Sequence, residues 1–186
     1  MESESIGNWK RKSARVVYDN PWIRVREDEV INPNGGQGIY GVVQFKNLAI
    51  GIIPVDEHSH TWIVGQHRYP QNKYSWEIPE GGGPLGVDPI RSAERELAEE
   101  VGLSADEYQL ILEMDLSNSV SDEVAYIFLA RGLSEVERMP DETEDLEVRR
   151  IHLNDVFDMV DRGEITDAMS VAGLLKLRWM RDQGVL

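Results

Sequence analysis

Glu96, Glu99 and Glu100 fall within the run Arg95-Glu-Leu-Ala-Glu-Glu-Val-Gly-Leu103. On a helix, residues three or four apart are neighbours, so these carboxylates crowd one side and repel at about 0.2–0.5 kcal/mol per pair. A hard divalent cation would offset that repulsion, because Mg²⁺ and Mn²⁺ take oxygen ligands in octahedral sites. The plain alternative is a solvated acidic face. At about 100° per residue, Ile90, Ala93, Leu97 and Val101 form one narrow apolar stripe, and Glu96 and Glu100 border it about 40° apart. Glu99 lies further round. The spacing therefore points to Glu96 and Glu100 as direct ligands and to Glu99 as a helper.

The helix that presents them is bounded in the sequence. Asp88 offers an N-cap oxygen, Pro89 suits the first helical position, and Gly102 can take the left-handed conformation that closes a helix. These signals predict a helix from about Pro89 to Val101, preceded by a glycine-rich loop, Glu80-Gly-Gly-Gly-Pro-Leu-Gly86.

The stretch from Gly81 to Leu103 resembles the Nudix box: Gly, five residues, Glu, seven residues, then Arg-Glu-apolar-any-Glu-Glu-any-Gly-apolar. Every fixed position from Arg95 to Leu103 matches, and Gly81 is correctly spaced. Val87 stands where the pattern has a glutamate. In the family that glutamate helps orient the helix through the arginine at Arg95, and Asp88 or Glu94 could take over as its partner here. Gln66-His-Arg-Tyr-Pro70, Trp76-Glu-Ile-Pro79 and the C-terminal order Asp141-Glu-Thr-Glu-Asp145, strand, short helix, Gly163-Glu-Ile165 are similar to the ADP-ribose and nucleoside-diphosphate-sugar pyrophosphatase branch.

The resemblance implies Mg²⁺-dependent hydrolysis of a nucleoside-diphosphate sugar such as ADP-ribose or GDP-mannose, with Mn²⁺ as a substitute. Glu96, Glu100 and the backbone carbonyl of Glu80 would hold metal, assisted by Glu99, while Arg95 orients the helix. A general base is needed as well. The branch places it on a loop after the box, where Glu142 matches, with Glu144 second and Glu123 third; Glu123 is also a candidate substrate contact. Arg68 and Glu77 are candidates on the substrate side, since guanidinium pairs bidentately with oxyanions. The alternative is a surface Arg68–Glu77 ion pair. The branch also implies a homodimer built by the N-terminal region, in which Trp22 or Trp9 could stack on the partner's nucleobase; core packing is the favoured reading of Trp22. His58 and His60 sit on a polar turn and are expected to face solvent.

Composition narrows the classes. The 186 residues suit one domain with a small N-terminal extension. No apolar run approaches the roughly 18 residues of a membrane span, and Met-Glu-Ser-Glu-Ser lacks the features of a signal peptide. Zero cysteines exclude disulfides, thiolate metal sites and a cysteine nucleophile. A cytoplasmic protein is the simplest expectation. Net charge −15 argues against nucleic acid as a partner, although a bound cation can invert the field within one cleft.

Along the chain, residues 1–13 read as polar and loosely ordered. Alternation and β-branched content predict strands at 15–18 and 23–30, a short continuous apolar run marks a central buried strand at 48–53, and further strands are expected at 40–45, 61–66, 108–115, 124–130 and 147–152. Asn154 or Asp155 is expected to cap a short helix ending near Gly163, and a longer helix follows over about 167–182, with Val171, Leu174, Leu175 and Trp179 on its periodic face. The expected architecture is α/β (α+β): a helix–sheet–helix sandwich with a mixed sheet, carried by residues 46–186, and an N-terminal antiparallel β extension over 1–45 as the dimerisation region. Competing readings are a dinucleotide pyrophosphatase on the same scaffold and a weakly catalytic nucleotide-sugar-binding module, which Val87 favours.

Overall fold

The structure, a computed structural model, describes residues 4–138 and 145–186. Its contacts divide it into two compact units: residues up to Leu48 with Asp115–Val124, and Ala49–Met114 with Ala125–Leu186.

The first unit is a four-stranded antiparallel sheet in the order β1-β2-β3-β4, from β1 (Glu4–Ile6), β2 (Trp9–Asp19), β3 (Ile23–Ile31) and β4 (Gln37–Phe45). Residues from Glu4 onward are therefore paired, contrary to the loose order expected before residue 13. A tight hairpin does this: Gly7 takes φ 56°, and Ile6 lies opposite Trp9. Asp28 is buried in β3 beneath two arginines, accepting two bonds from Arg26 (2.8 and 3.0 Å) with Arg11 at 3.6 Å. The turn before β3 turns Trp22 outward, because Asn20 Oδ1 accepts from the backbone N–H groups of both Trp22 and Ile23. Trp22 is 67 % exposed, so its expected packing in the core is not what the fold adopts.

The second unit is the helix–sheet–helix sandwich. Its mixed sheet runs β8-β5-β10-β9, and a second, antiparallel sheet runs β11-β6-β7. The strands are β5 (Asn47–Pro54), β6 (His60–Arg68), β7 (Lys73–Glu77), β8 (Glu80–Pro84), β9 (Leu103–Leu116), β10 (Glu123–Glu135) and β11 (Glu147–His152). β5 and β10 pair in parallel from Ala49 opposite Ala125 to Pro54 opposite Ala130. Ile50, Ile52, Ile53, Ile127 and Leu129 of this pair are fully or almost fully buried. Such continuous apolar runs are what a strand covered on both faces requires.

Helix α1 (Pro89–Glu96) continues without a break into a π-helical turn over Leu97–Val101. Its ends are as expected: Asp88 accepts from Ile90 N, and Gly102 closes it at φ 75°. Helix α2 (Leu153–Asp161) begins two to three residues earlier than expected. Its cap is His152, whose side chain accepts from Asn154 N, rather than Asn154 or Asp155. Helix α3 (Ala168–Asp182) is capped by Asp167. Its buried face is Met169, Ser170, Gly173, Leu174, Leu177 and Met180, whereas Leu175 and Trp179 are exposed. Small residues decide this: a β-carbon on Gly173 would come within 3.1 Å of Ile53 and Ile127, so the helix seats its narrow side on the sheet.

Candidate active site

Two consecutive pieces of chain meet at the acidic helix. The first is the connection from β7 into β8, Glu77-Ile-Pro-Glu80-Gly81; the second is α1 with its π-turn. The glycine-rich segment expected to be a loop forms strand β8 instead, because β5 pairs with it. Gly83 makes the close approach possible, since a β-carbon there would meet Ile50 at 2.9 Å and Ser92 at 3.0 Å.

Glu96 and Glu100 turn inward, at 6 % and 1 % exposure, while Glu99 stays about one-third exposed. The apolar stripe explains the direction: Ala93 and Leu97 are fully buried and carry the neighbouring glutamates down with them. Glu100 Oε2 accepts from the backbone N–H of Glu80 at 2.9 Å. Gly81 lies against Glu96 so closely that a β-carbon would overlap the carboxylate. The donor set is all oxygen, which suits a hard divalent cation, and the cradle at Gly81 keeps a carboxylate against the β8 backbone. The residues present fit such an ion.

Arg95 spans this group. It donates to Gly82 O (2.9 Å), Glu96 Oε1 (2.6 Å) and Glu99 Oε2 (2.6 Å). Neither expected substitute for the missing glutamate at position 87 is its partner. Asp88 is spent capping α1, and Glu94 pairs with Arg91 at 3.1 Å. Val87 is 46 % exposed.

On the other side of the connection, Arg68 lies between two acids, donating to Glu77 Oε2 (2.6 Å) and Glu80 Oε1 (2.5 Å). Glu77 is buried and Arg68 is half-buried, so this is an inward pair rather than a surface one. Asp167, from the cap of α3, joins them: Glu77, Glu80 and Asp167 each place an oxygen within 4.8 Å of the others. Glu80 Oε2 is buried without a hydrogen-bond partner. Burial first, then the Asp167 and Glu77 carboxylates, push the Glu80 carboxyl well above its ordinary range, against the opposing pull of Arg68. These residues, with Lys73, Ser75 and Thr166, line a cavity of about 260 Å³. Asp167 escaped sequence reasoning as a site residue. The only signal was the helix cap itself, which says nothing about what else the carboxylate touches.

Trp22 and Glu123 belong to the first unit. Glu123 is half-buried, and burial, with Asp122 adding to it, raises its carboxyl pKa. Glu142 and Glu144 lie outside the described residues. His58 is exposed and His60 half-buried, packing edge-on against His152.

Comparison with known proteins gives matches to two family models, two relatives and a solved structure. Residues 9–43 match the family model described as nucleoside diphosphate sugar hydrolase N-terminal domain, and residues 45–171 match the NUDIX domain. An ADP-ribose pyrophosphatase of Mycobacterium tuberculosis is 32 % identical over 167 residues, covering 88 % of this chain and 80 % of that protein. An ADP-ribose pyrophosphatase of Bacillus subtilis is 30 % identical over 164 residues, covering 87 % and 88 %. The crystal structure of an ADP compounds hydrolase superposes with a TM-score of 0.86 over 99 % of this chain and 100 % of the other, at 22 % identity, which establishes a shared fold.

Proposed function

Because the chain belongs to the Nudix family and is a hydrolase of diphosphate bonds, we propose that its substrates are nucleoside-diphosphate sugars, ADP-ribose foremost. The products are a nucleoside monophosphate and a sugar phosphate. The observation that carries this reading is the meeting of buried Glu96 and Glu100 with the Glu80–Gly81 backbone. The ADP-ribose pyrophosphatases among its relatives support the substrate class.

Members of this family use divalent metals, and here Mg²⁺, with Mn²⁺ as substitute, would be held by Glu96, Glu100 and the Glu80 carbonyl, with Glu99 assisting. A divalent ion held there would supply charge neutralisation at the diphosphate and would lower the pKa of the attacking water. Arg95 keeps Glu96 and Glu99 oriented toward β8. Arg68, backed by buried Glu77, offers its guanidinium to substrate oxyanions. Glu142 is the first candidate for the base that takes the proton from water, with Glu144 and then Glu123 behind it.

The N-terminal sheet supports a homodimer. Strand β1 covers β2 only at Trp9–Arg11, so Lys12–Asp19 have no strand on that side among the described residues. Val16, Val17, Tyr18 and nearby Trp22 are exposed there. Apolar edges of this kind favour pairing with a second chain. Trp22 is then available to stack on a nucleobase. No helix among the described residues is long and apolar enough to cross a membrane, and the cysteine-free composition favours a cytoplasmic setting.

The test is hydrolysis of a nucleotide-sugar and dinucleotide panel in ¹⁸O-labelled water, with products identified by mass. Fastest turnover of ADP-ribose to AMP and a sugar phosphate is expected, with the label reporting the attacked phosphorus. Fastest turnover of a dinucleotide would replace this substrate assignment, and full activity in Glu100→Gln would remove the metal assignment.

A further inference from the structure

We infer that Ser170 and Asp167 are positioning residues for the hydrolytic centre, clamping the Ile78–Glu80 backbone so that Glu80 presents its N–H to Glu100. The inference rests on the proposed metal-dependent reading of that centre.

The connection between β7 and β8 is only Ile78 and Pro79, and three backbone groups from Ile78 to Glu80 find different ties. Ile78 N donates to Ser170 Oγ at 2.9 Å, inside the core, where Ile78 and Ser170 are both fully buried. Pro79 has no N–H, and its carbonyl accepts from Ile52 N at 2.8 Å. Glu80 N then reaches Glu100 Oε2 at 2.9 Å. One tie goes to α3, one to β5 and one to the π-turn.

The direction of the Ser170 bond is set by Asp167. Asp167 Oδ2 accepts from both Ser170 N (2.8 Å) and Ser170 Oγ (2.9 Å). A carboxylate only accepts, so the hydroxyl proton points to Asp167 and a lone pair is left for Ile78 N–H. Capping α3 needs only the bond from Ser170 N. The second bond, through the hydroxyl, serves the Ile78 amide. Without Ser170 Oγ that amide is unsatisfied in the core, and the connection must rotate to recover a partner. Rotation at Ile78 moves Glu80, whose N–H holds Glu100 and whose carbonyl is a proposed ligand. Groups that orient metal ligands in this way typically affect affinity by about 10–100-fold.

The experiment measures Mn²⁺ binding to the full-length protein by calorimetry and electron paramagnetic resonance, and amide exchange at Ile78 and Glu80 by NMR. Ser170→Ala is expected to weaken Mn²⁺ binding by about tenfold or more and to speed exchange at both amides. Leu177→Ala, a cavity on the same helix, is expected to lower Tm at least as much yet leave Mn²⁺ binding within about twofold of wild type. Asp167→Asn keeps an acceptor oxygen and is expected to bind within about threefold, whereas Asp167→Ala falls beyond that. The Asp167 pair decides the matter if Ser170→Ala does not fold.

Wild-type affinity in Ser170→Ala, equal weakening in Leu177→Ala, or identical behaviour of the two Asp167 variants would overturn the clamp. Absence of Mn²⁺ binding by the wild type, or unchanged binding in Glu100→Gln, would instead overturn the metal reading, and the exchange rates alone would then judge the clamp.

Discussion

Gly81 and the Glu96 carboxylate occupy adjoining space with no room between them for a β-carbon. The glycine is needed for its size, since its backbone does not require the left-handed region. Gly81→Ala is therefore expected to fold and to displace Glu96, lowering kcat/KM by about 10–100-fold, the usual effect of disturbing a ligand's support. The loss should lessen as Mg²⁺ is raised. Steady-state kinetics across a metal titration checks this, and a variant with wild-type kinetics would count against Glu96 as a ligand.

Val87 looks like a defect in the box, yet Arg95 already donates to Gly82, Glu96 and Glu99. Val87→Glu can add only an exposed ion pair, worth up to about 1 kcal/mol, so activity should stay within about fivefold of wild type. Arg95→Lys should do more harm. A single ammonium cannot reproduce the fork that reaches all three partners, and a loss of about 10–100-fold is expected. Comparing kcat/KM for the two variants tests whether the structure has already replaced the missing glutamate.

Glu80 provides a pH signature in the metal-free protein. Its carboxyl is held above the ordinary 4.5, chiefly by burial. A raised folded value means the native state binds the proton more tightly than the unfolded chain does. The stability so contributed is full below the unfolded value and is lost as pH rises through the folded one. Glu80→Gln removes this dependence. Its Tm should exceed wild type at about pH 8 and converge on it near about pH 4. Thermal melts in chelator across that range read the difference, and parallel curves would refute it.

The exposed edge of β2 predicts assembly. Burying a valine or tyrosine at an interface is worth about 1.5–3 kcal/mol, so Val16→Lys combined with Tyr18→Lys should raise the dimer Kd at least about tenfold. Sedimentation velocity over a concentration series measures it. A monomeric wild type would remove the dimer proposal.

What could be read in advance follows the range of the interactions involved. The ends of α1 were legible because Asp88, Pro89 and Gly102 act through their own neighbours. The parallel β5–β10 pair was legible as two apolar runs, although not as partners. The inward turn of Glu96 and Glu100 followed from the stripe through Ala93 and Leu97. Strand β8 was missed because glycine disfavours strands locally, and only β5 makes one of it. Trp22 was misjudged since its side chain is set by Asn20, two residues away, rather than by its hydropathy. Ser170 and Asp167 are separated from Ile78 by about ninety residues of sequence, a distance across which spacing carries no signal.

The turn over Leu97–Val101 is wound more loosely than the helix that leads into it. Compared with a plain α-helix, such a turn holds one residue too many, and its hydrogen bonds reach to the fifth residue instead of the fourth. The register shifts by one residue only once the turn is complete, so Glu99 and Glu100, lying inside it, move by part of that angle and Glu100 stays on the buried side with Glu96. The looser winding keeps Glu100 beside Glu96 on the inward face, and the extra residue is taken up before Gly102 closes the turn.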